Sequence, residues 1–119
     1  MNEADKPSIL ICPDAFKGTL TAGQAASAIE KGILKKRPGS ITRKVPLADG
    51  GYGTLEVIRA NTHSRIIGKT VRGPLGGSVS SKYLALNKKS AFIEMAQAAG
   101  LPLLDKSEYD PVLTTTYGV

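Results

Sequence analysis

The sequence predicts an α/β fold that opens as a parallel sheet and turns antiparallel in its second half. Two short apolar runs, Ser8–Cys12 and Ile41–Val45, each lead into a loop and then into residues with helical spacing. That β-loop-α-β-loop-α order is how a parallel sheet begins. Beyond residue 63 three strand-like stretches follow one another with only turns between them, the pattern of a meander. The change of character falls near Gly73 and divides the chain into residues 1–71 and 72–119.

Each element has its own local cause. Ser8-Ile9-Leu10-Ile11-Cys12 is short, branched and apolar, as a strand buried on both faces must be. Pro13 ends it, and Cys12 reads as a small buried hydrophobe at its end. Thr21 caps the first helix, with Gln24 three residues on completing a capping box. Ala22, Ala25, Ala26, Ile29 and Ile33 then form one apolar stripe. Lys35, Lys36 and Arg37 suit the negative end of that helix, and Pro38-Gly39 stops it. Ile41–Val45 is the second strand, and Thr54 caps a shorter helix running to about Asn61. Ser64–Val71 and Val79–Leu86 make a hairpin across Gly73-Pro74-Leu75-Gly76-Gly77, a turn longer than two residues. The turn Asn87-Lys88-Lys89-Ser90 leads to a third strand, Ala91–Met95.

Composition narrows the function classes. The 119 residues make one small domain or a piece of a larger one, and 41% apolar content is enough for a core. Aromatics are 5% with no Trp, so that core is aliphatic. The single cysteine excludes an internal disulfide and points to a reducing, cytoplasmic setting. No apolar run approaches a membrane span, and the polar start Met1–Lys6 has no secretory apolar region. The net charge is +6, and between Lys31 and Lys89 thirteen basic residues face two acidic ones, Asp49 and Glu56. Such a field attracts a nucleotide, a small anionic substrate or nucleic acid. No aromatics interleave with the basic residues as a base-stacking platform requires, so nucleic acid is not favoured.

The chemistry lies in the two loops that leave the first two strands, where ligands of α/β proteins collect. Pro13-Asp14-Ala15-Phe16-Lys17-Gly18 and Ala48-Asp49-Gly50-Gly51-Tyr52-Gly53-Thr54 bring carboxylates, a lysine and bare glycine amides. Phosphoryl transfer needs those groups, because it consists mostly of positioning and charge neutralisation. Asp14 and Asp49 can each accept the acceptor hydroxyl's proton or hold Mg²⁺. Lys17 can neutralise a transferring phosphate. Gly18, Gly50, Gly51 and Gly53 let main-chain N–H groups approach an anion. Thr54 adds a hydroxyl at a helix start. Glu94 stands in an otherwise apolar run and is costly to bury alone, which makes it a candidate for substrate or metal. The same residues also fit plainer readings. Asp14 suits a turn cap, Asp49-Gly50-Gly51 an ordinary tight loop, Lys17 a solvated surface and Glu94 a strand end facing water. His63 has no partner ligand nearby in sequence and reads as a surface residue.

Taken together, these stretches resemble the glycerate kinase family, of the bacterial glyoxylate-pathway type. The residues that carry the resemblance are Pro13–Leu20, Pro46–Gly51, Gly73-Pro74-Leu75-Gly76, Ile93-Glu94-Met95-Ala96, Ala99-Gly100-Leu101 and Leu113–Gly118. The resemblance implies an ATP-dependent kinase that converts glycerate to a phosphoglycerate. It also implies a Rossmann-like domain interrupted by a second mixed α/β domain, with a cleft between them. Residues 1–71 would be the first part of the Rossmann-like domain and 72–119 the start of the second. The case for Thr115 and Thr116 as phosphate contacts rests on the resemblance alone. Tyr52 departs from it, since the family pattern usually has Glu there. Family members also continue well beyond residue 119, so the expectation is an N-terminal portion with little activity of its own and apolar edges that invite self-association. The rival readings are a non-catalytic basic module for an acidic partner or nucleic acid, and an enzyme acting on other phosphate esters.

Overall fold

A computed structural model describes residues 6–119. Its elements run β1 (Ser8–Ile11), α1 (Ala22–Lys36), β2 (Ile41–Lys44), α2 (Thr54–Ala60), β3 (Arg65–Arg72), β4 (Ser78–Ala85), β5 (Ala91–Ile93) and α3 (Ala96–Ala99). Two short 3-10 turns, Leu101–Leu103 and Lys106–Glu108, follow. The contacts divide the chain into two compact units, one ending at Asp49 and the other spanning Gly50–Val119. The parallel strand pair lies in the first unit and the antiparallel strand pairs in the second. The change of character read near Gly73 falls at the end of β3, well after this division. Among the described residues no helix is long and apolar enough to cross a membrane.

In the first unit β1 and β2 pair in parallel, from Ser8 opposite Ile41 to Ile11 opposite Lys44. The ladder continues past both strands, with Val45 N donating to Ile11 O and Leu47 N to Pro13 O, each at 2.9 Å. Helix α1 makes the crossover. Its capping box forms as the sequence expects: Gln24 N donates to Thr21 Oγ1 at 3.2 Å, and Thr21 N to Gln24 Oε1 at 2.9 Å. Ala22, Ala25 and Ala26 are buried, their short side chains letting the helix lie close to β1 and β2. The far end of the stripe opens, with Ile29 42% exposed. The expectation that β1 is buried on both faces is overturned. Ile11 is buried, but Leu10 is 63% exposed and Cys12, beyond the strand end, is exposed too. One helix covers only one face of a two-stranded sheet, and an apolar sequence cannot supply the second cover.

The second unit is a meander in the order β3-β4-β5, with Arg65 opposite Ala85, Arg72 opposite Ser78 and Tyr83 opposite Ile93. Gly73 N donates to Gly77 O at 2.6 Å across the hairpin link. Helices α2 and α3 both pack on β4, and Leu55 and Leu84 are fully buried between them and the sheet. Two boundaries differ from expectation. Gly53, not Thr54, occupies the cap position of α2, and β5 stops at Ile93 because Glu94 and Met95 already begin the turn into α3.

Candidate functional site

In the first unit the two acidic loops leave the carboxyl ends of adjacent parallel strands. Asp14 follows Pro13, whose carbonyl takes the last hydrogen bond of the ladder from Leu47, two residues before Asp49. Both carboxylates therefore lie at one rim of the sheet. Asp14 is exposed, and its Oδ1 accepts Ala15 N at 2.6 Å, so it holds its own turn. Lys17 is displayed by a tight reversal. Phe16 and Leu20 exchange main-chain hydrogen bonds at 2.9 and 3.1 Å, and Gly18 sits at the reversal with φ 80°. Gly18 thus has a turn to make, whatever else its amide does. Lys17 Nζ lies 3.3 Å from Asp49 Oδ2, the lysine side chain being 87% exposed. So exposed a pair contributes about 0–1 kcal/mol to stability. Its consequence is chemical: a solvated cation stands beside a carboxylate at a strand exit.

In the second unit the glycine loop turns inward as much as outward. Gly53 adopts φ 99°, a left-handed conformation that a side chain would strain. Its N–H donates to Glu94 Oε1 at 3.2 Å, and Leu55 N donates to Glu94 Oε2 at 2.7 Å. Gln97 Nε2 adds a third donor to Oε1 at 3.0 Å. Glu94 is 2% exposed, so it is neither a strand end facing water nor a carboxylate turned toward an outside ligand. Three N–H groups offset its desolvation. Thr54 is also buried, and its hydroxyl donates to Gly51 O at 2.8 Å. Gly50 is exposed with φ 91°, and Tyr52 points outward at 63% exposure.

Thr115 and Thr116 belong to a segment that docks on the β3–β4 link. Thr115 N donates to Pro74 O at 2.9 Å, and Thr115 Oγ1 accepts Tyr117 N at 3.2 Å. The Arg72 guanidinium stands 5.0 Å from the Tyr117 ring centre, a cation–π contact. Both threonines remain exposed. Gln97 and the Arg72–Tyr117 contact escaped the sequence reading. Only the spacing of three residues between Glu94 and Gln97, at a helix start, hinted at the first.

Among the described residues no group of three or more His, Cys, Asp or Glu side chains is placed to hold a metal. The described residues therefore form no ready-made cage. Asp14 and Asp49 offer hard oxygens at one rim, which fits a Mg²⁺ that keeps its waters and shares phosphate oxygens. His63 lines an open groove of about 490 Å³ with Glu56, Arg59, Ala60, Thr62 and Ser64, at the other end of α2 from Gly53. On α1, Glu30 accepts Lys44 Nζ at 2.6 Å and Thr42 Oγ1 at 2.9 Å. These hydrogen bonds, Lys44 first, hold its carboxyl below the ordinary glutamate range. Lys17, Lys44 and Lys82 are thus each engaged by a carboxylate, which takes three cations from the field a basic binding module would use.

The model of the glycerate kinase family matches residues 9–119. A glycerate kinase of Halalkalibacterium halodurans is 47% identical over 113 residues, covering 93% of this chain and 30% of that protein. The glycerate 2-kinase of Escherichia coli is 42% identical over 111 residues, covering 92% and 29%. Among solved structures, a Salmonella typhimurium LT2 protein named as a glycerate kinase 2 superimposes with TM-score 0.70 at 42% identity. That match covers 96% of this chain and 31% of the other. The chain thus spans about three-tenths of the length of the relatives it matches.

Proposed function

Because the chain belongs to the glycerate kinase family, we propose that it supplies the acidic-rim part of an ATP-dependent kinase that phosphorylates glycerate. The observation that carries this reading is the Lys17–Asp49 pair at the exits of two parallel strands, with Asp14 at the same rim. In the transfer a glycerate hydroxyl oxygen forms the new bond to the γ-phosphorus, the bond from that phosphorus to the bridging oxygen of ADP breaks, and the hydroxyl proton must leave. Asp14 and Asp49 divide the tasks of taking that proton and holding Mg²⁺. Bound with the nucleotide, Mg²⁺ neutralises charge on the phosphate oxygens. Lys17, on its exposed turn, offsets the charge of the transferring phosphate or of the glycerate carboxylate. The amides of Gly18, Gly50 and Gly51 and the exposed Thr115 and Thr116 are the further anion contacts of this proposal. It also includes a Rossmann-like first domain, a second mixed α/β domain and a cytoplasmic setting.

The test is a chimera. The glycerate kinase of Bacillus subtilis is 44% identical over 111 residues, so residues 9–119 can replace its matching segment. The chimera should release ADP in step with phosphoglycerate. Asp14→Asn and Asp49→Asn should each lower kcat by about 10²–10⁴, the usual contribution of a positioned proton acceptor. A folded chimera that makes no phosphoglycerate would sink the kinase reading. Full activity in both asparagine variants would sink the assignment of roles.

A further inference from the structure

We infer that Glu94 is a positioning residue: an internal anion that fixes the Gly50–Gly53 loop and closes the Gly53 and Leu55 amides to outside phosphate, with Gln97 holding its carboxylate in place. Glycine-rich loops at helix starts are ordinarily read as seats for a ligand's phosphate. Here the seat is filled from within the chain. Glu94 Oε1 accepts Gly53 N at 3.2 Å and Gln97 Nε2 at 3.0 Å, while Oε2 accepts Leu55 N at 2.7 Å. The carboxylate is 2% exposed, and among the described residues no Lys, Arg or His forms an ion pair with it. Among the described residues its charge is therefore met by N–H dipoles. Those bonds are worth most where water is excluded and cost most if one partner is lost.

The clamp joins parts of the chain about forty residues apart, 41 from Gly53 to Glu94 and 39 from Leu55 to Glu94. Gly53 makes its bond to Glu94 while holding a left-handed backbone, φ 99°, that a side chain would strain. Thr54 locks the other side of the loop through its hydroxyl on Gly51 O. The loop is thus held at both ends of one turn by groups that a ligand does not touch. Two consequences follow. The outside anion must be met by groups other than the Gly53 and Leu55 amides. The direction in which the loop offers its outer groups is set by a residue no substrate contacts. The catalytic consequence rests on the kinase reading; the clamp itself does not.

Amide hydrogen exchange and NMR on the chain test it. In the native chain the Gly53 and Leu55 amides should exchange slowly, and the Leu55 N–H, on a charged acceptor, should resonate well downfield. Glu94→Gln removes the charge and puts an NH₂ where an acceptor stood. It should speed exchange at Gly53 and Leu55 about tenfold or more, leave the capped start of α1 unchanged, and pull the Leu55 signal upfield. Glu94→Ala should leave three donors around a hole that formate can fill. Formate should then raise the melting temperature of Glu94→Ala and protect both amides, with no such effect on the native chain. If Glu94→Ala does not fold, the Glu94→Gln exchange pattern decides alone. Unchanged exchange in Glu94→Gln would overturn the clamp, as would inorganic phosphate that shifts the Gly53 and Leu55 amides of the native chain. In the active chimera, Glu94→Gln should lower kcat about 10–100-fold while KM stays within about threefold, as expected of a group that orients others. Equal kcat in the two chimeras would overturn the positioning role. An inactive parent chimera strikes the kinase reading instead, and the exchange pattern still decides the clamp.

Discussion

Glu30 shows how a single residue can be tested through pH. Its carboxyl is held below the ordinary glutamate value of 4.5 by hydrogen bonds from Lys44 and Thr42. A depressed folded-state pKa contributes stability that is fully present above the unfolded value and is lost as pH falls through the folded one. Glu30→Gln should therefore melt below the native chain at neutral pH, and the gap should close progressively as pH falls below 4.5. A gap that is the same at neutral and strongly acidic pH would refute the assignment. At Gly118 the constraint is steric. A Cβ built there would come within 1.8 Å of Arg72 O, a backbone atom that cannot step aside. Gly118→Ala should release the segment that carries Thr115 and Thr116. A protease cutting that segment no faster in the variant than in the native chain would count against this. Neither contact was legible in the sequence, because each depends on a partner more than ten residues away. Glu94 was half legible: its placement in an apolar run marked it as special, but nothing local said that its partners were main-chain amides.

At the scale of elements, legibility follows the range of the cause. Helix α1 is specified by residues three and four apart, so Thr21, Gln24 and the alanine stripe announce it, and its capping box forms as written. Removing the cap is a fair measure of that local code. Thr21→Ala should cost about 1 kcal/mol in chemical denaturation, and Thr21→Ser should cost much less. Equal stability in Thr21→Ala and the native chain would show the cap to be idle. The hairpin β3–β4 is local too, and Gly73–Gly77 sets its turn. Strand β1 is different. Its composition fits a strand with both faces covered, yet cover is supplied by other elements, and among the described residues α1 is the helix that lies against it. Helix α2 errs by one residue for a related reason. Thr54 is the obvious cap by type, but Gly53 holds the position, and the Leu55 amide that a cap side chain there would serve donates instead to Glu94, distant in sequence. Here a carboxylate from another element does the work that the local rule assigns to a cap residue.

At the scale of the whole molecule, the stretches that carry the family resemblance meet in pairs. Pro13–Leu20 meets Pro46–Asp49 through Leu47 N on Pro13 O and Lys17 on Asp49. Pro74 meets Thr115, and Glu94 reaches Gly53, two residues past the Pro46–Gly51 stretch. Sequence order could list these stretches but not pair them, since pairing is a property of the fold. Catalysis asks for more than pairing. Residues 1–119 cover 31% of the matched Salmonella structure, while phosphoryl transfer needs donor, acceptor and metal enclosed together. Large apolar side chains also stand in water, among them Leu10 at 63%, Leu113 at 70% and Val112 at 88% exposed. Such surface favours association, since each buried apolar Å² contributes about 25 cal/mol. Purified residues 1–119 should therefore release ADP from ATP and glycerate at close to the background rate, and should sediment increasingly as oligomers as concentration rises. Robust glycerate-dependent turnover by a strictly monomeric chain would contradict both expectations at once. It would mean that the rim of Asp14, Lys17 and Asp49 needs no second wall, and that enclosure contributes far less to this transfer than its charge chemistry requires.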